Sequence, residues 1–332
     1  MRTRRFKHMK RTFKTVFVTS LLLVSLLISA LAFTACNKDL TEEYASAKAA
    51  WDAAPNKMTS DSGTVNLTLG SGENALDATV TLQGIRVYIG DTFSIQYAIT
   101  ATVPDAERIH SENSTYSIAN MLKEGITLYL VAEKDASGVI DFELYAAEFP
   151  LSVVLNFSAT FTEEDMHETI PVLDLAANTF YDPEHMSADG NSYTIPGDTA
   201  LDWILQQLAP ILAYGAGYDI MPMIYDWVDF GDVTGEVTFA DGNFATMTTS
   251  QDITGFMPME DAEFLIYNLE FFPMMLKNLF EKKTVRFPIG NKVLELDFSD
   301  IITDGIRIEG NVSTSAQYTI LSSDATMEDI LG

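Results

Sequence analysis

Cysteine is nearly absent from this chain: one residue in 332, Cys36. No internal disulfide can form, so a fold of this length must be held by its core. Histidine is almost as scarce, with four residues, one of them in the basic N-terminal stretch. His167 lies in Asp165-Met166-His167-Glu168 and His185 in Asp182-Pro183-Glu184-His185. Neither segment has a spacing, such as His-x-x-x-His on a helix, that turns ligands to one face, and no metal site is expected. Residues 182–191 have the composition of a calcium loop without oxygen ligands at alternate positions before the glycine, and a hairpin turn explains them better. There is no Gly-x-Ser-x-Gly elbow, no Ser-x-x-Lys pair and no phosphate loop. The chain therefore reads as a non-enzyme, with no catalytic residue and no cofactor to name.

Basic residues are few and unevenly placed. Arg2, Arg4, Arg5, Lys7, Lys10, Arg11 and Lys14 fall within the first fifteen positions, where there is no acid. Residues 16–35 then carry no charge, and 20–31 are dominated by Leu, Val and Ile. A basic start, an apolar middle and a small-residue end are the three parts of a secretory signal. The basic end stays in the cytoplasm while the apolar run enters the translocon. Phe33-Thr34-Ala35-Cys36 resembles the lipobox of bacterial lipoproteins, with Phe33 where that motif usually has Leu. The resemblance implies cleavage before Cys36 and lipid on its sulfur. The competing reading is an uncleaved transmembrane anchor, since the uncharged run reaches the ~20 residues needed to cross a bilayer. The lone cysteine, standing where a lipobox needs it, favours cleavage. Acyl chains there would hold the protein to a membrane, each buried CH₂ contributing roughly 0.8 kcal/mol. The expected organisation is a signal peptide at 1–35, a lipidated tether with a short helix at 36–62, and a β-rich domain at 63–332. The expected location is extracytoplasmic, lipid-anchored to a bacterial membrane.

Removing the signal takes seven of the 20 basic residues and none of the 47 acids, so the remaining chain has 13 basic groups and a net charge near −34. Such a field repels nucleic acid, which is excluded as a partner, and keeps the domain soluble. At 47% hydrophobic residues the chain is not disordered.

Tyr44, Ala47, Ala50 and Trp51 give a short helix after a Thr41 cap, stopped by Pro55-Asn56. From Gly63 the period becomes two: Val65, Leu67 and Leu69; Ala78, Val80 and Leu82; Ile85, Val87 and Ile89. In 92–103, Phe93, Ile95, Tyr97, Ile99 and Val103 alternate with Ser94, Gln96, Thr100 and Thr102. The pattern continues through 126–132, 139–146 and 152–161, then 236–240, 244–248, 284–289, 293–298 and 306–320. One apolar and one wet face per strand is the antiparallel habit. Ser137-Gly138, Asp189-Gly190-Asn191, Asp241-Gly242-Asn243 and Gly290-Asn291 supply turns. Roughly a dozen strands are expected.

Helical insertions are expected near 198–228 and 259–283. The second begins with Glu260, Asp261 and Glu263 and ends with Lys277, Lys282 and Lys283, the charge order the helix dipole favours. Pro210 and Pro273 would kink or split these helices. Its apolar residues, among them Phe264, Leu265, Phe271, Phe272, Met275 and Leu279, nearly encircle it, where a helix on a sheet needs only a stripe. Met223 and Trp227 extend the greasy set upstream. Met and aromatic side chains pack adaptably around acyl chains. These eight are the candidate lining of a hydrophobic-ligand cavity; the alternatives are plain core and a partner-binding patch.

Lipobox, short helix, long meander and interrupting apolar helices together resemble the half-barrel lipid-carrying lipoproteins of the LolA and LppX type. The resemblance is one of architecture, without a motif matched residue for residue. It implies an α+β fold: a large twisted antiparallel sheet, half-barrel-like, with apolar helices packed on its concave face. It also implies a lipid or other hydrophobic ligand. The alternative is a non-catalytic structural or interaction lipoprotein of the cell envelope.

Overall fold

Alternation of side chains about a pleated backbone organises most of this chain, and a computed structural model describes residues 42–70, 72–109, 118–147, 156–162, 192–197, 227–261, 281–289 and 292–332. Six strands run as an antiparallel meander: β1 (Asn56–Leu69), β2 (Leu76–Ile89), β3 (Thr92–Thr102), β4 (Ile126–Lys134), β5 (Val139–Ala146) and β6 (Phe157–Thr162). They are followed by β7 (Ser192–Ile195), β8 (Val228–Phe230), β9 (Val233–Ala240) and β10 (Asn243–Pro258). β11 (Thr284–Ile289) and β12 (Lys292–Asp297) form a separate two-stranded hairpin, and β13 (Gly305–Ile320) returns to the main sheet.

The result is one eleven-stranded antiparallel sheet in the order β6-β5-β4-β3-β2-β1-β13-β10-β9-β7, with β8 paired to β10. It is an α+β fold with few helices, and the sheet is open. Its first and last described strands meet in the middle, β1 against β13 over the register Lys57–Ile320 to Leu69–Ile308. Hairpin turns fall where Gly allows a positive φ, at Gly138 between β4 and β5 and at Gly242 between β9 and β10. Gly290-Asn291 and Asp189-Gly190-Asn191 lie outside the described residues.

Helix α1 (Glu42–Ala53) lies on the apolar face of the β7–β9–β10–β13 half. Tyr44, Ala47 and Trp51 fall on one side of it and are buried. The Tyr44 ring meets Phe244 edge-on at 5.1 Å between centroids, and Trp51 meets Tyr318 at 5.1 Å and 87°. An aromatic so buried removes about 150–250 Å² from water, so two of them anchor the helix firmly. Lys57 Nζ donates to the Trp51 carbonyl at 2.9 Å, capping the helix from β1. Thr41, the expected N-cap, lies outside the described residues. Two shorter helices are α2 (Ile118–Glu124) and α3 (Met327–Leu331), and residues 259–261 and 281–282 are helical as well. Among the described residues no helix is long and apolar enough to cross a membrane.

Several strands differ from the sequence expectation: β7 and β8 are additional, and β10 runs on to Pro258 beyond the expected 244–248. β1 begins at Asn56, inside the segment read as a tether, because Thr59 and Asp61 turn inward as polar residues. β2 is a single strand whose inward set runs Val80, Leu82, Gly84, Arg86, so Ile85 and Val87 face the other way.

Candidate functional site

Of the nine residues proposed for lipidation and ligand lining, the structure describes Trp227. Cys36, Met223 and the six between Phe264 and Leu279 lie outside the described residues, as do both expected helical cores and the histidine segments. Trp227 is half-buried, one residue before β8, whose pairing with Ile253–Gly255 fixes its position. Its indole N–H donates to Asp261 Oδ2 at 3.0 Å. That bond joins the end of the first apolar stretch to the beginning of the second.

Both halves of the sheet's inner face are apolar, and they form separate clusters. One gathers Tyr193, Ile195, Val237, Phe244 and Met247 under α1. The other gathers Leu82, Ile95, Ile99, Leu130, Phe142 and Leu144 across β2 to β5. Every member of the second cluster is under a tenth exposed, and α1 packs on the other half.

Between the clusters runs a polar belt. Arg86 on β2 donates from Nε to Asp61 Oδ2 at 2.7 Å and from Nη2 to Oδ1 at 2.9 Å, a bidentate pair. The Tyr97 hydroxyl on β3 adds a third bond to Asp61, at 2.8 Å. The Asp61 side chain is fully buried and Arg86's nearly so. Tyr97 reaches across β2 because Gly84 lies between: a Cβ there would sit 2.1 Å from Gln96 O and 2.2 Å from Tyr97 Cδ1. The same device recurs on the other half. Tyr193 on β7 crosses Gly235 on β9, where a Cβ would meet its ring at 2.3 Å, and donates to the Thr248 carbonyl on β10 at 2.9 Å. Thr249 and Thr314 share a hydroxyl–hydroxyl bond beside it.

Burial alone would lower Arg86, but Tyr97 and Asp61 more than offset it and hold the guanidinium well above its usual value. Burial drives Tyr97 well above the ordinary phenol range, with the Arg86 charge opposing. Burial also raises Tyr318, on β13, to about 12; its hydroxyl points to Met247 Sδ at 3.9 Å. Neither Tyr97 nor Arg86 gives up a proton near neutral pH, so the belt holds strands in register rather than transferring protons.

Across its middle the opposite face is polar, and open space of about 650 Å³ lies across β2, β1, β13 and β10; further along the same face Val87 and its register partner Ser94 are buried. One wall is Thr79, Asn66, Asn311 and Asp252, which are consecutive in register. The other wall, two residues along each strand, is Asp77, Thr68, Glu309 and Thr254. The floor is the backbone of the intervening residues, whose side chains turn to the inner face. Thr68 Oγ1 donates to Asp77 Oδ1 at 2.7 Å, Thr79 Oγ1 to Asn66 Oδ1 at 3.1 Å and Asn311 Nδ2 to Asp252 Oδ1 at 2.8 Å. Among the described residues no group of three His, Cys, Asp or Glu side chains could hold a metal ion.

No protein-family model matches this chain. Curated proteins give no significant match either. The reading of the site therefore rests on its own chemistry.

Sequence reasoning missed the polar belt and the groove. An Asp and an Arg at inward positions of neighbouring strands were the signal for the belt. For the groove it was the run of Asn, Thr, Asp and Glu at outward positions of four strands, each unremarkable singly and aligned only by register.

Proposed function

We propose that this protein is an exported lipoprotein, tethered to a bacterial membrane through Cys36, that holds a hydrophobic ligand such as a lipid against the inner face of its sheet. The observation that carries the reading is the second apolar cluster, from Leu82 to Leu144, which extends the greasy face well beyond the footprint of α1. In this reading the apolar stretches 198–228 and 259–283 pack as helices on a concave, half-barrel-like sheet and leave room between them for acyl chains. The Trp227–Asp261 bond supports it by tying both stretches to one place beside β8. The anchor rests on the basic, apolar and small-residue succession that ends at Cys36. The alternative, a non-catalytic structural or interaction lipoprotein without a ligand, draws on the polar groove of the outer face.

Every described contact lies within residues 42–332, so a soluble form beginning at Asn37 retains them all. Native mass spectrometry of that form, followed by organic extraction, tests the carrier reading. A stoichiometric apolar molecule, displaced by added phospholipid, is the expected result. A clean apo mass with no uptake from a lipid panel would leave the interaction protein as the better account. The anchor is read separately, by labelling cells with a fatty-acid analogue: label is expected on the native chain and absent from Cys36→Ser.

A further inference from the structure

One end of the sheet carries α1 together with the hairpin turns at Gly90, Gly138 and Gly242. We propose, resting on the reading of Cys36 as the anchor, that this turn end is the surface that faces the bilayer, with the strands standing up from it.

Strand register brings these features to one end. β1 starts with Asn56 opposite Ile89, and Ile89 pairs with Thr92 across the turn at Gly90-Asp91. Phe93 pairs with Lys134, and Lys134 with Ile140 across the turn at 135–138. Lys57 pairs with Ile320 at the end of β13. On the other half Asn243 pairs with Ala240 across Asp241-Gly242, and Thr246 pairs with Gln317. α1 crosses the strand ends here rather than running up the sheet. Tyr44 meets Phe239 and Phe244, either side of the Asp241-Gly242 turn, at 6.4 and 5.1 Å between centroids. Trp51 meets Tyr318 near the end of β13.

The tether is short against the length of the sheet. Residues 37–41 join Cys36 to Glu42, so α1 starts no more than about 20 Å from the acylated residue. β1 has 14 residues, and at about 3.3 Å each the far end, at Gly72–Asn74, stands roughly 45 Å beyond the turn end. The turn end is therefore close to the membrane in any pose, and the far end comes close only if the sheet lies flat.

Charge decides between standing and lying. The turn end itself exposes Glu42, Glu43, Asp91, Asp135 and Asp241. Its lysines are half-buried, Lys48 bonded to Asp52 and Lys57 to the Trp51 carbonyl. This end therefore rests against headgroups without inserting among them. Lying flat on the outer face would add Asp77, Glu133, Asp141, Glu143, Asp252 and Glu309, all exposed. Standing lifts those carboxylates away at no cost to the tether, most of them by more than the Debye length of about 8 Å at physiological salt. A bilayer carrying anionic lipid thus pushes the untethered part of the domain upright.

The test uses the mature lipoprotein. With Cys36 acylated, an introduced cysteine is the one free thiol in the chain. Asp91→Cys and Glu73→Cys each replace one exposed acid in a turn, at opposite ends of the sheet. Asp91 lies in the half of the sheet away from the start of α1, so its position reports the whole end and not the tether alone. Each variant, labelled with a donor fluorophore, is reconstituted at physiological salt into vesicles of phosphatidylcholine and phosphatidylglycerol holding a headgroup-labelled acceptor lipid. Energy transfer from the Asp91 position is expected to exceed that from the Glu73 position by about twofold or more, given ends roughly 45 Å apart. Equal transfer from both, the signature of a sheet lying flat, or greater transfer from Glu73 overturns the proposal. Flotation of the same vesicles reads the anchor separately. A chain that fails to float sinks the anchor and the orientation together, whereas a chain that floats with equal transfer sinks the orientation alone.

Discussion

Tyr97 and Asp61 stand on strands that are not neighbours, yet the Tyr97 hydroxyl donates to the Asp61 carboxylate at 2.8 Å by passing over Gly84. The contact exists because the strand between them has no side chain at that point. Three strands are thereby locked in one register, since a slip of one residue would turn Asp61 to the wet face and leave Arg86 buried alone.

Gly84→Ala is accordingly expected to cost about 2–4 kcal/mol, because its new methyl would overlap both Gln96 O and the Tyr97 ring. Gly63 on β1 is the matched comparison: a Cβ there meets nothing nearer than 3.5 Å, so Gly63→Ala should stay within about 1 kcal/mol. Urea denaturation of the two variants reads the difference as a shift in midpoint at constant slope. Equal midpoints would mean the tyrosine has another way to lie.

How much of this was legible beforehand follows from how local each signal is. β5 was plain: Ile140, Phe142 and Leu144 point inward and Asp141 and Glu143 outward, within one unbroken alternation. So was α1, through Tyr44, Ala47 and Trp51. β2 was harder, because Ile85, Val87 and Ile89 make as good a pattern as Val80 and Leu82 but on the other face. What settles its direction is Arg86 meeting Asp61 on a neighbouring strand, and no window along one strand contains that pairing. The same holds for β10 beyond Thr248. Residues 249–258 show no apolar alternation, and their strand character comes from the ladder with β13. Of the candidate ligand-lining residues, Trp227 alone was placed, and its bond to Asp261 links two segments that read as independent in sequence.

The buried pair gives the second prediction. Taking two charges out of water costs about as much as their attraction returns, so the pair specifies register more than it stabilises. Breaking it one-sidedly is different. Asp61→Leu or Arg86→Met alone should each cost about 3–5 kcal/mol, since the remaining ion is buried without its partner. The double substitution should cost less than the sum of the two, as read in one double-mutant cycle by urea unfolding. Additive costs would show that the pair does not act as a unit.

The third prediction concerns alkaline pH. Tyr318 has a folded value of about 12 against 10.0 for an ordinary phenol, raised by burial. Below pH 10 the proton is bound in both states, so this group gives stability no slope. From pH 10 upward the unfolded chain releases the proton while the folded chain keeps it, and stability falls until the folded phenol also ionises near 12. The swing from Tyr318 is at most about 3 kcal/mol. Tyr318→Phe forfeits only the weak contact with Met247 Sδ, so it should leave stability at pH 7 within about 1 kcal/mol and flatten the fall above pH 10. Tyr97→Phe should flatten it as well, but at a cost of about 1–3 kcal/mol already at neutral pH, because Asp61 loses one of its three donors. Urea midpoints across the alkaline range, read beside tyrosinate absorbance, separate the two: a tyrosinate signal that rises well before unfolding would show that these phenols are not sealed in the core.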